Sequence, residues 1–284
     1  MALEKNTVMD ITTFDKTVKT ENSAKKYLLG FCWKNHQRYC PRCRQRKVYL
    51  LAGGRRRCSR CGYTFHDFSR RFINVGNLSC QQWLWLIKLF ELDVPSQAIA
   101  RQLGLAYNTA AKAMMQLRRA ILAQALDGTQ LVEAGLMTPR PENAEPLVFG
   151  IFERGGWVFS DLAPDLTPGS IDFFKERFFL KTAQHANIVY TDKYRHYDTL
   201  LYCEHPDATH PGRHKDRNLY VDGRRGGFWI FIKDRLRRAR GLSPTWFPFY
   251  LKEFEFRYNH RNQPLFTLLV ERICHFVPEH KEDT

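Results

Sequence analysis

The sequence predicts a protein of mixed class, with a small cysteine-rich unit, then an all-helical unit, then a larger α/β domain. Three observations predict this order. Four cysteines form two matched pairs before residue 62, helical periodicity runs from Ser79 to Gln124, and strand patterns alternate with helical patterns after Gly128. The chain has 284 residues, of which 44% are hydrophobic, so it can bury a core in more than one unit.

The cysteine-rich unit is built on two Cys-x-x-Cys pairs, Cys40-Pro-Arg-Cys43 and Cys58-Ser-Arg-Cys61. The segment between them fits a short hairpin that turns at Gly53-Gly54. Because two such pairs can direct four thiolates at one ion, the spacing predicts a zinc ribbon over residues 25–75. Four protein ligands leave no open position, so this Zn²⁺ is expected to be structural. The alternatives are a redox pair and four unrelated buried thiols.

Residues 76–127 are predicted to form a helix-turn-helix unit. Ser79 is a favoured N-cap residue, and a second helix begins at Ser96. Gly104 interrupts the helical pattern, and a third helix is predicted from Ala110 to Leu126. The alternative is a plain helical hairpin that bridges two domains.

In a helix-turn-helix unit, the second of the two helices enters the major groove and its N-terminal residues contact base edges. Asn suits adenine and Lys suits guanine in that groove. The predicted readers are Tyr107, Asn108, Thr109 and Lys112. The residues expected nearer the DNA backbone are Arg118 and Arg119.

The charge of the chain indicates a polyanionic partner. Lys and Arg number 44 against 29 Asp and Glu, a formal net charge of +15, and basic groups placed on phosphates release counterions. The ribbon residues expected on phosphates are Arg55, Arg56 and Arg57. A merely soluble basic protein and one bound to acidic membrane surfaces are the alternatives. No apolar run of about 18 residues is present and the N-terminus lacks a secretory pattern, so we expect a cytoplasmic protein without a membrane span.

Residues 128–276 combine strand and helix patterns. The two remaining predicted segments are an N-terminal extension of residues 1–24 and a polar tail of residues 277–284. A hairpin is predicted around Arg154-Gly155-Gly156. The other predicted strands cover Thr129–Ala134 and Asn187–Thr191, and the predicted helices cover Ser170–Lys181, Tyr194–Tyr202 and about Gly227–Arg240. This order is compatible with an RNase H-like domain.

With these motifs in this order, the chain resembles bacterial insertion-sequence transposases that join a zinc ribbon, a helix-turn-helix and an RNase H-like DDE domain. The resemblance runs from about Lys25 to Phe276. It implies sequence-specific binding to double-stranded DNA in a bacterial cell, on the nucleoid and as a homo-oligomer. The motifs that carry it are Cys40–Cys43, Cys58–Tyr63, Val148–Arg154, Tyr190–Asp192 with Tyr197, Gly227–Trp229 with Lys233, and Glu255–Asn259.

The resemblance also implies a catalytic site of Asp, Asp and Glu that holds two divalent metal ions. Asp192 matches the second Asp. Gly135 and Gly226 stand at the places of the first Asp and the final Glu, so we expect a degenerate site. Glu133 and Asp222 are possible substitutes in a shifted triad, and Mg²⁺ is expected only if activity persists.

The same departures from the family pattern place basic residues beside the former metal site, where a guanidinium can pair with a phosphate directly. These residues are Arg224, Arg225 and Lys233. A solvated basic helix face is the alternative. Three functions stay open: a DNA-binding protein with a degenerate site, an active transposase with shifted carboxylates, and an RNA-binding or scaffolding module.

Overall fold

A computed structural model describes the chain as two compact units, Met1–Gln124 with Asn262–Thr284, and Ala125–Arg261. The predicted segments 25–75, 76–127 and 128–276 stay a prediction about order along the chain. No helix in the described part is long and apolar enough to cross a membrane. The described residues are 9–137, 145–163, 165–167, 169–171, 173, 177, 182–185, 188–191, 199–203, 227–228, 231–232, 235–236 and 245–278.

The helices and strands are numbered in chain order. The helices are α1 (Ile11–Val18), α2 (Glu21–Cys32), α3 (Cys80–Glu91), α4 (Ser96–Gln102), α5 (Tyr107–Ala123), α6 (Gly128–Glu133), α7 (Phe247–Asn259) and α8 (Leu265–Ile273). The strands are β1 (Val48–Leu50), β2 (Arg56–Cys58), β3 (Thr64–Phe65), β4 (Val148–Arg154), β5 (Trp157–Leu162), β6 (Thr182–His185), β7 (Ile188–Thr191) and β8 (Thr199–Cys203). Further helical residues occur at 169–171, 173 and 177, and at 228, 231–232 and 235–236.

The first unit contains α1 to α5, the small sheet and α8. The predicted N-cap at Ser79 is confirmed, because its hydroxyl accepts the N–H of Gln82 while the Gln82 side chain accepts the N–H of Ser79. Helix α8 packs against α2, α3 and α5, and its Phe266 is fully buried. The Arg272 guanidinium donates to the carbonyl of Gln124 at 2.8 Å and ties α8 to the end of α5.

The predicted hairpin of the ribbon is confirmed. Strands β1, β2 and β3 form an antiparallel sheet in that order, and Val48 pairs with Cys58. Gly53 and Gly54 adopt φ of 68° and 72° at the turn, a conformation that favours glycine. The turn thereby brings the two cysteine pairs to the same end of the hairpin.

Helices α3, α4 and α5 follow the predicted order with tight turns between them. Gly104 has φ of 62° and directly follows the C-cap of α4. The N–H of Leu105 donates to the carbonyl of Ala100, and the N–H of Gly104 to that of Arg101, which is the Schellman arrangement. Helix α5 begins three residues earlier than predicted, at Tyr107.

The second unit is built on a five-stranded sheet in the order β5-β4-β8-β7-β6. Every described pairing in it is antiparallel. The predicted hairpin is confirmed, since Arg154 pairs with Trp157 across Gly155-Gly156. The predicted strand over Asn187–Thr191 is confirmed as β7.

Two predictions for this unit are wrong. The segment Thr129–Ala134, predicted as a strand, lies largely in helix α6. The segment Tyr194–Tyr202, predicted as a helix, contains most of strand β8, which pairs with β4 on one side and β7 on the other. Strand pairing on both edges satisfies the backbone of β8, and this long-range pairing outweighs local helix preference.

Helix α7 is locked onto β5 by polar side chains. The Asn259 amide donates to the carbonyl of Val158 and accepts its N–H, both at 2.7 Å. One turn earlier, Glu255 accepts the N–H of Ser160 at 2.9 Å and the Lys252 ammonium at the same distance. The Glu255–Asn259 motif therefore fixes the position of the last helix of this unit against its sheet.

Candidate metal centre and nucleic-acid interface

The four predicted zinc ligands lie together at one end of the ribbon. One ligand atom from each of Cys40, Cys43, Cys58 and Cys61 lies within 4.8 Å of all the others. The sulfurs of Cys40 and Cys61 are 3.6 Å apart, and those of Cys43 and Cys58 are 3.5 Å apart. A tetrahedral site with Zn–S bonds of about 2.3 Å has sulfurs about 3.8 Å apart, whereas a disulfide requires about 2.05 Å. The geometry fits a structural Zn²⁺ and not a disulfide.

The two cysteine pairs have the same backbone geometry. The N–H of Arg44 donates to the carbonyl of Cys40, and the N–H of Gly62 to that of Cys58. Arg44 and Gly62 both adopt positive φ, 60° and 69°. Each pair is therefore a knuckle closed by one left-handed residue, as the glycine at position 62 suggests from sequence.

The thiols of the cluster differ in acidity. The N–H groups of Cys61 and Arg60 point at the sulfur of Cys58 and lower the pKa of that thiol to about 6. Burial raises the pKa of Cys40 to about 12. Because Zn²⁺ binds thiolates, metal binding must release protons from the cluster and its affinity must fall with falling pH.

The three consecutive arginines that lead into β2 are of two kinds. Arg55 and Arg57 are exposed, as a phosphate contact requires. Arg56 is half-buried, and its guanidinium lies 2.6 Å from the Asp67 carboxylate, which also pairs with Arg38. We therefore assign Arg56 to the internal structure of the ribbon rather than to the DNA surface.

The predicted base readers lie on the first turns of α5. Tyr107, Asn108 and Lys112 are exposed and Thr109 is half-buried. No side chain of the described residues caps the start of α5, where Ala106 is the N-cap residue. Exposed polar side chains and uncapped N–H groups at a helix start suit contact with a groove and its phosphates.

One of the two arginines predicted nearer the DNA backbone is buried. Arg118 is only 8% exposed, and its guanidinium lies 5.5 Å from the centre of the Phe90 ring. Arg119 is half-buried, its Nε has no hydrogen-bond partner among the described residues, and its contact with the DNA backbone stays a prediction. We assign Arg118 to packing between α5 and α3, because a buried guanidinium cannot reach a phosphate.

Gly135, which the resemblance places at the first catalytic Asp, lies at a helix end. Gly135 follows the C-cap of α6 with φ of 75°, and its N–H donates to the carbonyl of Val132. The N–H of Leu136 donates to the carbonyl of Leu131, which completes a Schellman motif. Glu133 is exposed in the last turn of α6 and therefore does not lie on the strand predicted over Thr129–Ala134.

The remaining predicted site residues lie outside the described residues. They are Asp192, Asp222, Gly226, Arg224, Arg225 and Lys233. Within the described part of the chain, the four cysteines are the only group of three or more side chains placed to share a metal ion.

A buried charge cluster of the second unit was missed by sequence reasoning. The Lys252 ammonium lies 2.8 Å from the Asp127 carboxylate and 2.9 Å from that of Glu255. Arg257 forms a second buried pair with Glu253 at 2.7 Å. The i, i+3 and i, i+4 spacing of these charges on one helix was the available signal.

Two family models match the chain. Residues 19–64 match the transposase zinc-ribbon domain, and residues 131–259 match the ISXO2-like transposase domain. An uncharacterized transposase-like protein of Haemophilus influenzae is 37% identical over 75 residues, which are 26% of this chain and 60% of that protein. The match thus spans less than two thirds of the relative. No solved structure matches the chain.

Proposed function

We propose that the chain, which carries the zinc-ribbon and ISXO2-like domains of transposases, is a sequence-specific double-stranded-DNA-binding protein with a degenerate transposase site. The observation that carries the proposal is the exposed start of α5, where Tyr107, Asn108 and Lys112 face solvent. In this proposal α4 and α5 act as a helix-turn-helix pair, with α5 in the major groove.

The zinc ribbon supplies the phosphate contacts in this proposal. Arg55 and Arg57 are exposed on the β2 side of the hairpin, and a net charge of +15 favours a polyanion. Phosphate contacts position the protein on the duplex, whereas the α5 side chains select the sequence. We further propose that the protein binds DNA as a homo-oligomer on the bacterial nucleoid, following the transposases it resembles.

Two of the candidate positions, Gly135 and Glu133, support a degenerate catalytic site. Gly135 has no side chain to bind a metal, and its left-handed backbone terminates α6. Glu133 is exposed on that helix and does not lie on the predicted strand. An RNase H-like architecture for the second unit is proposed on the domain match over residues 131–259, not on the described strand pairings.

The binding proposal is tested by selecting duplexes from a random library and measuring affinity for the selected site against salt concentration. We expect the affinity to fall steeply with salt and to be indifferent to Mg²⁺. Asn108→Ala should weaken discrimination at one base pair by about 1–3 kcal/mol. Asn22→Ala is the matched control, since Asn22 is also the exposed second residue of a helix, α2. Absence of any preferred duplex would contradict the proposal, and displacement by single-stranded RNA would favour the RNA-binding alternative.

The domain match specifically favours one second candidate, an active transposase. Its test is cleavage and strand transfer on the ends of the element that encodes the chain, in Mg²⁺ or Mn²⁺. Under the degenerate proposal the wild-type chain gives no product. Product formation that Asp192→Ala abolishes would overturn degeneracy, and loss on Glu133→Ala as well would show that shifted carboxylates carry the reaction.

A further inference from the structure

A cleft of about 380 Å³ lies in the first unit between the first zinc knuckle and the C-terminal segment. Its lining residues are Pro41, Arg42, Arg44, Arg70, Phe276, Val277 and Pro278. Three of the seven are arginines and none is acidic. The cleft therefore gathers positive charge from two segments of the chain, and among the described residues no carboxylate lines it.

Arg44 is held in place by its backbone and by aromatic rings. Its φ of 60° closes the first zinc knuckle, so metal binding and the direction of this side chain are linked. Its guanidinium lies 4.7 Å from the centre of the Phe276 ring and 5.5 Å from that of Tyr39, and it donates to the Tyr39 hydroxyl at 3.2 Å. These contacts reduce the rotamer freedom that a ligand would otherwise have to remove.

The opposite wall is fixed by backbone pairing. Arg70 adopts φ of 61°, and its carbonyl accepts the N–H of Val277 at 2.8 Å. Arg71 and Phe276 form an isolated β-bridge, and the Arg71 guanidinium lies 3.9 Å from the Phe276 ring. The C-terminal segment is thus attached to the ribbon side of the cleft, and the cleft is a built feature of the fold.

A larger neighbouring cleft of about 520 Å³ shares Phe276 but offers a different environment. Its Arg38 is paired with Asp67, and its Arg71 donates to the carbonyls of Cys32 and Cys274. Arg38 and Arg71 are engaged within the protein. In the smaller cleft Arg42 and Arg44 are both exposed, so that cleft presents guanidinium groups to an external anion.

We propose that the cleft of Arg42, Arg44 and Arg70 binds a backbone phosphate of duplex DNA, a site that rests on the DNA binding proposed above. Guanidinium groups match the oxygens of a phosphodiester with paired hydrogen bonds, whereas an ammonium acts as a point charge. The contact couples the metal centre to DNA, because Arg44 directly follows the zinc ligand Cys43. It also uses the C-terminal segment Phe276–Pro278, which lies far from the ribbon in sequence.

The test measures affinity for the selected duplex over a range of salt with Arg44→Ala, Arg70→Ala and Arg44→Lys. Each alanine variant should bind roughly tenfold more weakly, the loss expected for a charged hydrogen bond. Each should also reduce the slope of log affinity against log salt by about 0.9, the value of one phosphate contact. Arg44→Lys should retain the slope but lose part of the affinity, because it keeps the charge without the planar fork. Zinc content and thermal unfolding of each variant verify that the ribbon is folded.

The matched control is Arg154→Ala, which removes an exposed arginine at the end of β4 in the other unit and should change neither affinity nor slope. The phosphate site is refuted if the folded Arg44→Ala and Arg70→Ala variants bind the duplex with the affinity of the wild type. In that case the proposed DNA binding of the chain still stands. If the wild-type chain binds no duplex, the proposed function fails and the phosphate site fails with it. Equal weakening of single-stranded DNA binding would show a phosphate site that does not require a duplex and would overturn the duplex assignment.

Discussion

Gly135 gives the sharpest test of the structure, because two interpretations assign it opposite surroundings. At the end of the strand predicted over Thr129–Ala134, Gly135 would take the place of a metal ligand and would tolerate a side chain, whereas in this structure it has φ of 75° and ends helix α6. A Cβ at Gly135 would meet nothing within 4 Å. The cost of Gly135→Ala is therefore a backbone cost alone, about 1–2 kcal/mol of unfolding free energy for an L-residue in the left-handed region. Gly135→Asn should cost less, because Asn tolerates this conformation.

Gly30 is the matched control for this measurement. It lies inside α2, and a Cβ there also meets nothing within 4 Å, but its backbone is not left-handed. Gly30→Ala should stabilise the protein by up to about 1 kcal/mol, so the two substitutions have opposite signs. Urea denaturation of each variant, followed by circular dichroism, supplies the values. A Gly135→Ala variant as stable as wild type would refute the helix end and restore the strand interpretation.

Three further predictions concern metal, packing and pH. Cys43→Ser should abolish the zinc content measured by atomic absorption and weaken duplex binding, whereas Cys80→Ser, outside the cluster, should retain the metal. Full zinc content in Cys43→Ser would contradict the four-thiolate site. Asn259→Ala should lower the free energy of unfolding by about 1–3 kcal/mol, because Val158 loses both hydrogen-bond partners. The control Asn262→Ala, at an exposed position, should change it by less than about 0.5 kcal/mol. Equal values for the two variants would show that the Asn259 hydrogen bonds do not stabilise the fold. Burial raises the pKa of Tyr27 to about 12 from 10.0, so its neutral form stabilises the fold below pH 10 and this contribution is lost as the pH rises toward 12. Tyr27→Phe should therefore reduce the fall in unfolding free energy with pH above pH 10, measured by denaturation. An unchanged pH dependence in Tyr27→Phe would contradict this prediction.

The turn residues show where sequence reasoning succeeded and where it failed. Gly104 and Gly135 perform the same task, since each follows a helix C-cap with positive φ. Gly104 was interpreted as a helix end because strong helix formers precede it. The resemblance places Gly135 at a catalytic Asp, whereas the local signal for a helix end, a glycine after Leu131, Val132 and Glu133, is the one that the structure follows.

Two arginines predicted as DNA contacts, Arg56 and Arg118, are reassigned for a different reason. Sequence marks an arginine as basic but does not show whether a carboxylate or an aromatic ring lies beside it in the fold. Arg56 pairs with Asp67 eleven residues away, and Arg118 lies against Phe90. Both contacts depend on tertiary packing, so neither could be predicted from the local pattern.

The sequence by itself determined the zinc ribbon, the capped start of α3 and the hairpin at Gly155-Gly156, because each depends on residue types at short fixed spacing. Only the tertiary structure decided that Thr199–Cys203 is a central strand, since its partners β4 and β7 come from other parts of the chain. It alone decided that Arg42, Arg44 and Arg70 share a cleft with Phe276, a residue more than 200 positions away. Local spacing encodes caps, turns and metal knuckles, whereas backbone pairing and charge neighbours are set by long-range contacts that form only in the folded chain.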